Sequence, residues 1–243
     1  MTASDPPVER NPALHASIVR PVLEKIGRIH VPHFFKAACA DRIYECLQSE
    51  TPWQLHLNDG VLNFDRPDEH MQLLPDAKRV LLLDGVYDNA AAKRFQGLYH
   101  TFPIYDSWRA GNRRDLYLMR VYEFLNSPAF LDFAREATGV QTISLVDAQA
   151  TLYRPGHFLT EHDDRAEGKR RVAAYVLNFT REWHADWGGV LQFIDSDGHV
   201  AEGYTPAFNA LNLFRVPQRH SVSFVAPFAR AGRYSITGWL RES

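Results

Sequence analysis

The chain has 243 residues, of which 45% are hydrophobic and 23% charged, with a formal net charge of −2. This composition describes a folded globular protein, and the near-neutral charge argues against a dominant electrostatic footprint for nucleic acid. No apolar run approaches the ~18 residues of a membrane span, and the opening MTASDPPVER is polar rather than signal-like.

Taken in chain order, residues 1–12 are rich in Pro and polar groups and are expected to fray. The stretch VPHFFKAACADRIYECLQS predicts a helix from its apolar residues at 35, 39, 43, 46 and 47, closed off by Pro52. Cys39 and Cys46 are the only cysteines. Their Cα atoms would lie roughly 10 Å apart on a helix, too far for a disulfide, so a reducing, cytoplasmic setting fits. From Trp53 to Leu83 the pattern is mixed, with short strands expected around WQLHLN and RVLLLDG. Residues 89–110 and 116–138 predict two more helices, the second with a fresh start at Ser127-Pro128 and a stop at Gly139.

After Val140 the texture changes to short β runs: AQATLYR, RVAAYVLNF, GGVLQFID, GHVAEGYTP, ALNLFRV, HSVSFV and RYSITGWL. Turn signals at PG, GG, DSDG and AGR separate several of them, which predicts a sandwich or small barrel. There are no repeats and no linker. The expectation is one domain over 1–243, with a mainly helical support region at 1–140 and a β core at 141–243.

Three side chains carry the chemistry. His162 and Asp164 lie in LYRPGHFLTEHDD, and His220 lies in VPQRHSVSF. Two imidazoles and a carboxylate are the ligand set of a non-haem Fe(II) oxygenase site. On a strand, residues two apart share a face, so His162 and Asp164 could reach one ion together. Downstream, Arg233, Ser235 and Thr237 alternate onto one face of a strand in RYSITGWL. An Arg there can grip a carboxylate bidentately, and Ser235 can add a hydroxyl donor.

HDD, a distal His and R-Y-S-I-T-G-W, together with YRPG at 153–156, VAAYVLN at 172–178 and GGVLQFID at 188–195, resemble the Fe(II)/2-oxoglutarate-dependent dioxygenases. The similarity is greatest to the prolyl-hydroxylase branch, including the hypoxia-factor and ribosomal-protein prolyl hydroxylases, and covers roughly residues 140–243. It implies an α+β fold, a double-stranded β-helix (jelly-roll, cupin-like) core with N-terminal supporting helices. It further implies Fe(II) held by His162, Asp164 and His220, with O₂ as a reactant. The cosubstrate 2-oxoglutarate would have its far carboxylate on Arg233, helped by Ser235 and Tyr153, and ascorbate would be an accessory cofactor. The implied reaction hydroxylates a prolyl residue in a protein or peptide, or a small amino acid, with release of succinate and CO₂. One departure stands out: hypoxia-factor-type enzymes place a second Tyr in the strand after the metal motif, where this chain has Val176. Tyr175, one residue off, would face the other way.

Several residues compete for these roles. His184 and Asp186 form a second H-x-D, in a loop context before Gly188-Gly189. Asp163 adjoins Asp164 and reads as a solvated strand-end carboxylate. His157 and His199 sit in turn-like segments and are expected at the surface, while His30 and His33 lack acidic partners at ligand spacing. Arg219 and Arg230 compete with Arg233, Tyr153 could equally be a core aromatic, and Lys169-Arg170-Arg171 could be a solvated run or a lid. Asn178-Phe179-Thr180 is formally a glycosylation sequon. Two other function classes remain open: a nucleic-acid demethylase of the same chemistry, which would need a basic groove, and a non-catalytic cupin-like protein that binds metal or a small ligand.

Overall fold

The computed structural model describes residues 5–58, 63–67 and 71–242. In chain order these form α1 (Ala16–Ile26), β1 (Arg28–Val31), α2 (Ala37–Ser49), β2 (Gln54–Asn58), β3 (Asn63–Pro67), α3 (Asp76–Ala91) and β4 (Gly97–Phe102). There follow α4 (Ile104–Arg109), α5 (Tyr117–Leu125), α6 (Pro128–Thr138), β5 (Ile143–Val146), β6 (Gln149–Tyr153), β7 (Phe158–His162) and β8 (Arg171–Asn178). A short 3₁₀ turn at Ala185–Trp187 leads into β9 (Leu191–Ile194), β10 (Val200–Tyr204), β11 (Ala210–Arg215), β12 (His220–Val222) and β13 (Arg233–Glu242). None of these helices is long and apolar enough to cross a membrane.

The strands pair in the order β1-β11-β8-β13-β6-β4-β7-β12-β9-β10, with β2 and β3 added beside β4 and β5 beside β13. All the pairings are antiparallel, and the sheet curls into the nearly closed barrel of a jelly roll. Strand alternation serves two interiors at once. In β8, Ala173, Tyr175 and Leu177 face the helices, while Ala174 and Val176 face the barrel interior. In β13, Ile236 and Leu240 join the helix side, while Arg233, Ser235, Thr237 and Trp239 line the interior. Strands buried on both faces read as continuous apolar runs rather than alternating ones.

The helical layer follows from its apolar spacing. In α2, Cys39, Ala40, Ile43, Cys46 and Leu47 are buried on one stripe, and both cysteines are free. α6 begins with Pro128 at its first turn and ends at Gly139, whose φ of 77° supplies the left-handed C-terminal residue. The Gly139 N–H donates to the Arg135 carbonyl at 2.8 Å.

Two expectations are corrected. RVLLLDG is part of helix α3, not a strand. Leu82, Leu83, Val86 and Ala90 pack on a small cluster with Leu55, Leu57, Leu98 and Phe158, while Leu81 is 73% exposed. That spacing is helical, but a four-residue apolar run looks the same in either state. The second correction concerns 89–110, which is not one helix: it contains β4, all six of whose residues are buried. A fully buried strand shows no period-2 polarity to give it away. β1 and β5 were also not anticipated.

His157 lies in a turn yet is buried, against the expectation of a surface position. Its ring sits 5.0 Å from that of His100 on the outer face of β4. Burial pushes both imidazoles down to about 3, with neighbouring cations adding to the effect. An unfolded His titrates near 6.5, so the folded state binds fewer protons between the two values. Stability from this pair is therefore intact above about pH 6.5 and falls as the pH drops toward 3, by up to about 1.4 kcal/mol per pH unit for each His. Thermal melts between pH 7 and 5 should show the decline, and His157→Gln should flatten it.

Candidate active site

His162 ends β7 and His220 begins β12. Four strands separate them in sequence, yet β7 and β12 are neighbours and the two residues are direct cross-strand partners. Their ring centroids lie 4.1 Å apart. Asp164 does not share a strand with His162, as the i, i+2 argument supposed. The strand has ended, and Asp164 takes φ = 63°, a left-handed turn that Asp tolerates better than bulkier residues. Arg171 holds this turn by donating from Nη1 to the Asp164 carbonyl at 2.8 Å. The carboxylate swings back so that Oδ1 lies 3.5 Å from His162 Nε2 and Oδ2 lies 3.4 Å from His220 Nε2.

Hydrogen bonding fixes both tautomers. His162 Nδ1 lies 3.0 Å from the Thr160 carbonyl, and His220 Nδ1 lies 2.7 Å from the Gln218 carbonyl. A carbonyl can only accept, so each Nδ1 carries the proton and each Nε2 presents a lone pair. Burial, with help from His162, lowers His220 to about 4, so a second proton is disfavoured there. For Asp164 burial pushes the carboxyl up, but its close contacts with His162 and His220 outweigh that and hold it below the usual range. Trp239 favours the anion slightly from nearby, without reaching hydrogen-bond geometry. Three lone-pair-bearing atoms therefore converge, a set that could hold a cation. Among the described residues it is the one group of three that could hold a metal ion.

The triad opens into a cavity of about 520 Å³. Arg233 lines the same cavity; it is 2% exposed, with a buried Nε that has no hydrogen-bond partner. Its guanidinium stacks 4.9 Å above the Tyr153 ring, and no carboxylate among the described residues pairs with it. A guanidinium buried without a counter-ion is costly, a cost that an anion in the cavity would relieve. Ser235 Oγ lies 2.8 Å from Thr151 Oγ1. One hydroxyl hydrogen closes that pair and the other can be donated into the cavity. Of the competitors, Asp163 lines the same cavity but binds Arg165, Arg219 pairs with Glu161, and Arg230, His184, Asp186 and His199 are exposed. Lys169 and Arg170 are exposed, whereas Arg171 stacks on Trp239 at the rim. Asn178 of the formal sequon is buried at 1%.

Tyr175 is fully buried on the helix side and donates to the Asp147 carbonyl at 2.7 Å, while Val176 lines the cavity. The sequence did not disclose Tyr99, His56, Phe95 and Gln149, which also line it. Tyr99 stacks on Tyr153 with centroids 5.1 Å apart and planes 20° from parallel. Phe95 lies 5.4 Å from the His162 ring. Most of these come from β2, β4 and their loops, and only strand register could have brought them in.

Residues 148–241 match the family model described as the 2OG-Fe(II) oxygenase superfamily. That segment is less than half of the chain; over it the chain is similar to a superfamily whose description names Fe(II) and 2-oxoglutarate. It is 26% identical over 166 residues to the prolyl 3-hydroxylase OGFOD1 of Mus musculus, covering 65% of this chain and 30% of the relative. The chain thus spans about a third of the length of that curated relative. Among solved structures, a Pseudomonas putida prolyl-4-hydroxylase superposes with a TM-score of 0.57 at 17% identity, covering 94% of this chain and 99% of the other. A Trichoplax adhaerens prolyl hydroxylase, solved with a hypoxia-inducible-factor peptide fragment, gives 0.58 at 16% identity over 93% and 89%.

Substituting Asp164 by Ala removes the anionic member of the converging set. A second-sphere loss typically costs about 10–100-fold in metal affinity. Loss of Asp164 should cost at least about 100-fold, read by titrating apo-protein with Mn(II) under electron paramagnetic resonance. Asp163→Ala should leave the titration unchanged.

Proposed function

We propose that the chain is an Fe(II)- and 2-oxoglutarate-dependent hydroxylase of prolyl residues in proteins or peptides. The observation that carries this reading is the pairing, in one cavity, of the converging His162–Asp164–His220 lone pairs with the unpartnered Arg233 guanidinium. The first fits a divalent cation and the second fits the far end of a dicarboxylate. When bound, these groups would supply O₂ activation that hydroxylates an unactivated C–H bond and releases succinate and CO₂.

The chain's own residues bind and shield. His162, Asp164 and His220 would take one face of the ion and leave the cavity side open. Arg233 would grip the distal carboxylate, with Ser235 donating a hydroxyl and Tyr153 forming the platform under the guanidinium. Leu159, Leu191, Phe214 and Val222 keep the interior apolar, which excludes water and strengthens the charge contacts. Ascorbate enters the proposal only as a reductant that keeps the iron ferrous. The free, buried Cys39 and Cys46 fit a cytoplasmic setting. The prolyl substrate is taken from the prolyl hydroxylases that the chain resembles, and selectivity is assigned to the rim around Phe95, Arg165 and Arg171.

The test has two arms. Anaerobic titration of the Fe(II)-loaded protein with 2-oxoglutarate should develop the weak visible charge-transfer band of the chelate. Arg233→Ala should shift that titration about 100-fold or more, since losing one partner of a buried charge pair costs roughly 2–5 kcal/mol. An unshifted titration would reassign the anchor. In the second arm, succinate release above the background rate is measured with prolyl peptides and with free proline. Stimulation by free proline alone would replace the peptide reading.

A further inference from the structure

Strand register aligns five side chains across the barrel wall. Asp65 on β3 is opposite His56 on β2, and His56 is opposite Tyr99 on β4. Tyr99 directly precedes the His100–Leu152 pair, which sets it beside Tyr153 on β6, and Tyr153 is opposite Arg233 on β13. The side chains touch along the whole row. His56 Nδ1 lies 2.7 Å from Asp65 Oδ1, and the His56 and Tyr99 rings are 4.7 Å apart at 32°. The Tyr99 and Tyr153 rings are 5.1 Å apart at 20°, and the Arg233 guanidinium covers the Tyr153 ring at 4.9 Å. A carboxylate ends the row near solvent, and a buried guanidinium ends it on the cavity wall.

We propose that Tyr99 is a positioning residue for recognition of the cosubstrate's distal carboxylate, acting through the ring stack that orients Arg233. This rests on the function proposed above. Arg233 has a long side chain with rotamers to lose, and its buried Nε has no hydrogen bond to hold the head in plane. The surface that aligns it is the face of Tyr153. The tilt of Tyr153 is in turn set by the near-parallel ring of Tyr99. From β8 the cavity receives Val176, which has no ring to share the task. The aromatic support therefore comes from β4, and behind it from the β2–β3 hairpin through His56 and Asp65. The ring of Tyr99 does this work, and its hydroxyl is not required.

The experiment compares two chelating ligands on Mn(II)-loaded protein by isothermal titration calorimetry. 2-Oxoglutarate needs both the metal and Arg233, whereas oxalate chelates the metal and has no distal carboxylate. Tyr99→Leu should weaken 2-oxoglutarate about 10-fold and leave oxalate within about 2-fold. Tyr99→Phe should restore 2-oxoglutarate binding, because the ring remains. Equal weakening of both ligands, no weakening of either, or a Phe variant as poor as Leu would each overturn the proposal. If Tyr99→Leu does not fold, His56→Ala removes the next ring in the row. It should weaken 2-oxoglutarate about 3-fold and spare oxalate, and no selective effect there would overturn the proposal equally. Arg233→Ala runs alongside. If wild type itself fails to bind 2-oxoglutarate, or binds it independently of Arg233, the functional reading of the site fails rather than the role of Tyr99.

Discussion

β13 is the constraint on which the rest of the structure depends. Its ten residues pair with β5, β6 and β8, so it is the central seam of the sheet. One face presents Ile236 and Leu240 to the helices, and the other presents Arg233, Ser235, Thr237 and Trp239 to the cavity. Gly238 shows how tightly the seam is fitted: a Cβ there would meet the Asp147 carbonyl oxygen at 2.0 Å. A slip of one residue would turn the guanidinium into the hydrocarbon core and Ile236 into the cavity. The helices α1, α2, α5 and α6 make the outer face of this strand dry, and the inner face is then free to hold polar groups in a fixed row.

The His162–Asp164–His220 triad depends on a different device. His162 and His220 are brought together by register between β7 and β12, whereas Asp164 reaches them because the strand stops and the backbone turns left-handed. The H-x-D spacing does bring the two side chains together, but through a turn rather than a shared strand face. A continued strand would have carried Asp164 one further pleat along. The turn instead folds its carboxylate back between the two imidazoles, and the Arg171 bond to its carbonyl keeps it there.

How far the sequence disclosed this architecture depends on how local each signal was. The seven β runs after Val140 announced themselves through turn residues and short spacing, and so did Arg233, Ser235 and Thr237 through alternation. Helices α2, α5 and α6 were legible from apolar spacing and from the Pro128 and Gly139 boundaries. β4 was not, because Gly97–Phe102 is buried on both faces and has no polar period. With β4 misread as helix, Tyr99 could not be placed in the cavity, nor His56 on the strand beside it. His157 was misplaced for a related reason: a Pro-Gly turn signals the surface, but here α3 covers the turn, with Tyr87 reaching the Gly156 carbonyl. Pairing partners that are remote in sequence decide these positions, and composition within a short window carries no record of them.

The departure at Val176 and the presence of Tyr99 are two sides of one electrostatic problem. Besides the Asp163–Arg165 pair and the Arg171 that stacks on Trp239, the cavity is lined by one carboxylate, Asp164, and one guanidinium, Arg233. A divalent cation on the triad would leave at least two net positive charges there. A ligand with a carboxylate at each end neutralises both, whereas a monocarboxylic keto acid leaves the guanidinium as costly as before. Under the proposed function, selectivity for a diacid would follow from charge balance, provided the guanidinium points at the ligand. Aromatic packing meets that proviso without adding charge. An acidic residue would have satisfied Arg233 permanently and abolished the site, and a wet wall would have screened it. Rings stacked from β4 and β6 hold the cation in direction while leaving its charge unspent, so the strand from which the rings come matters less than their lack of charge.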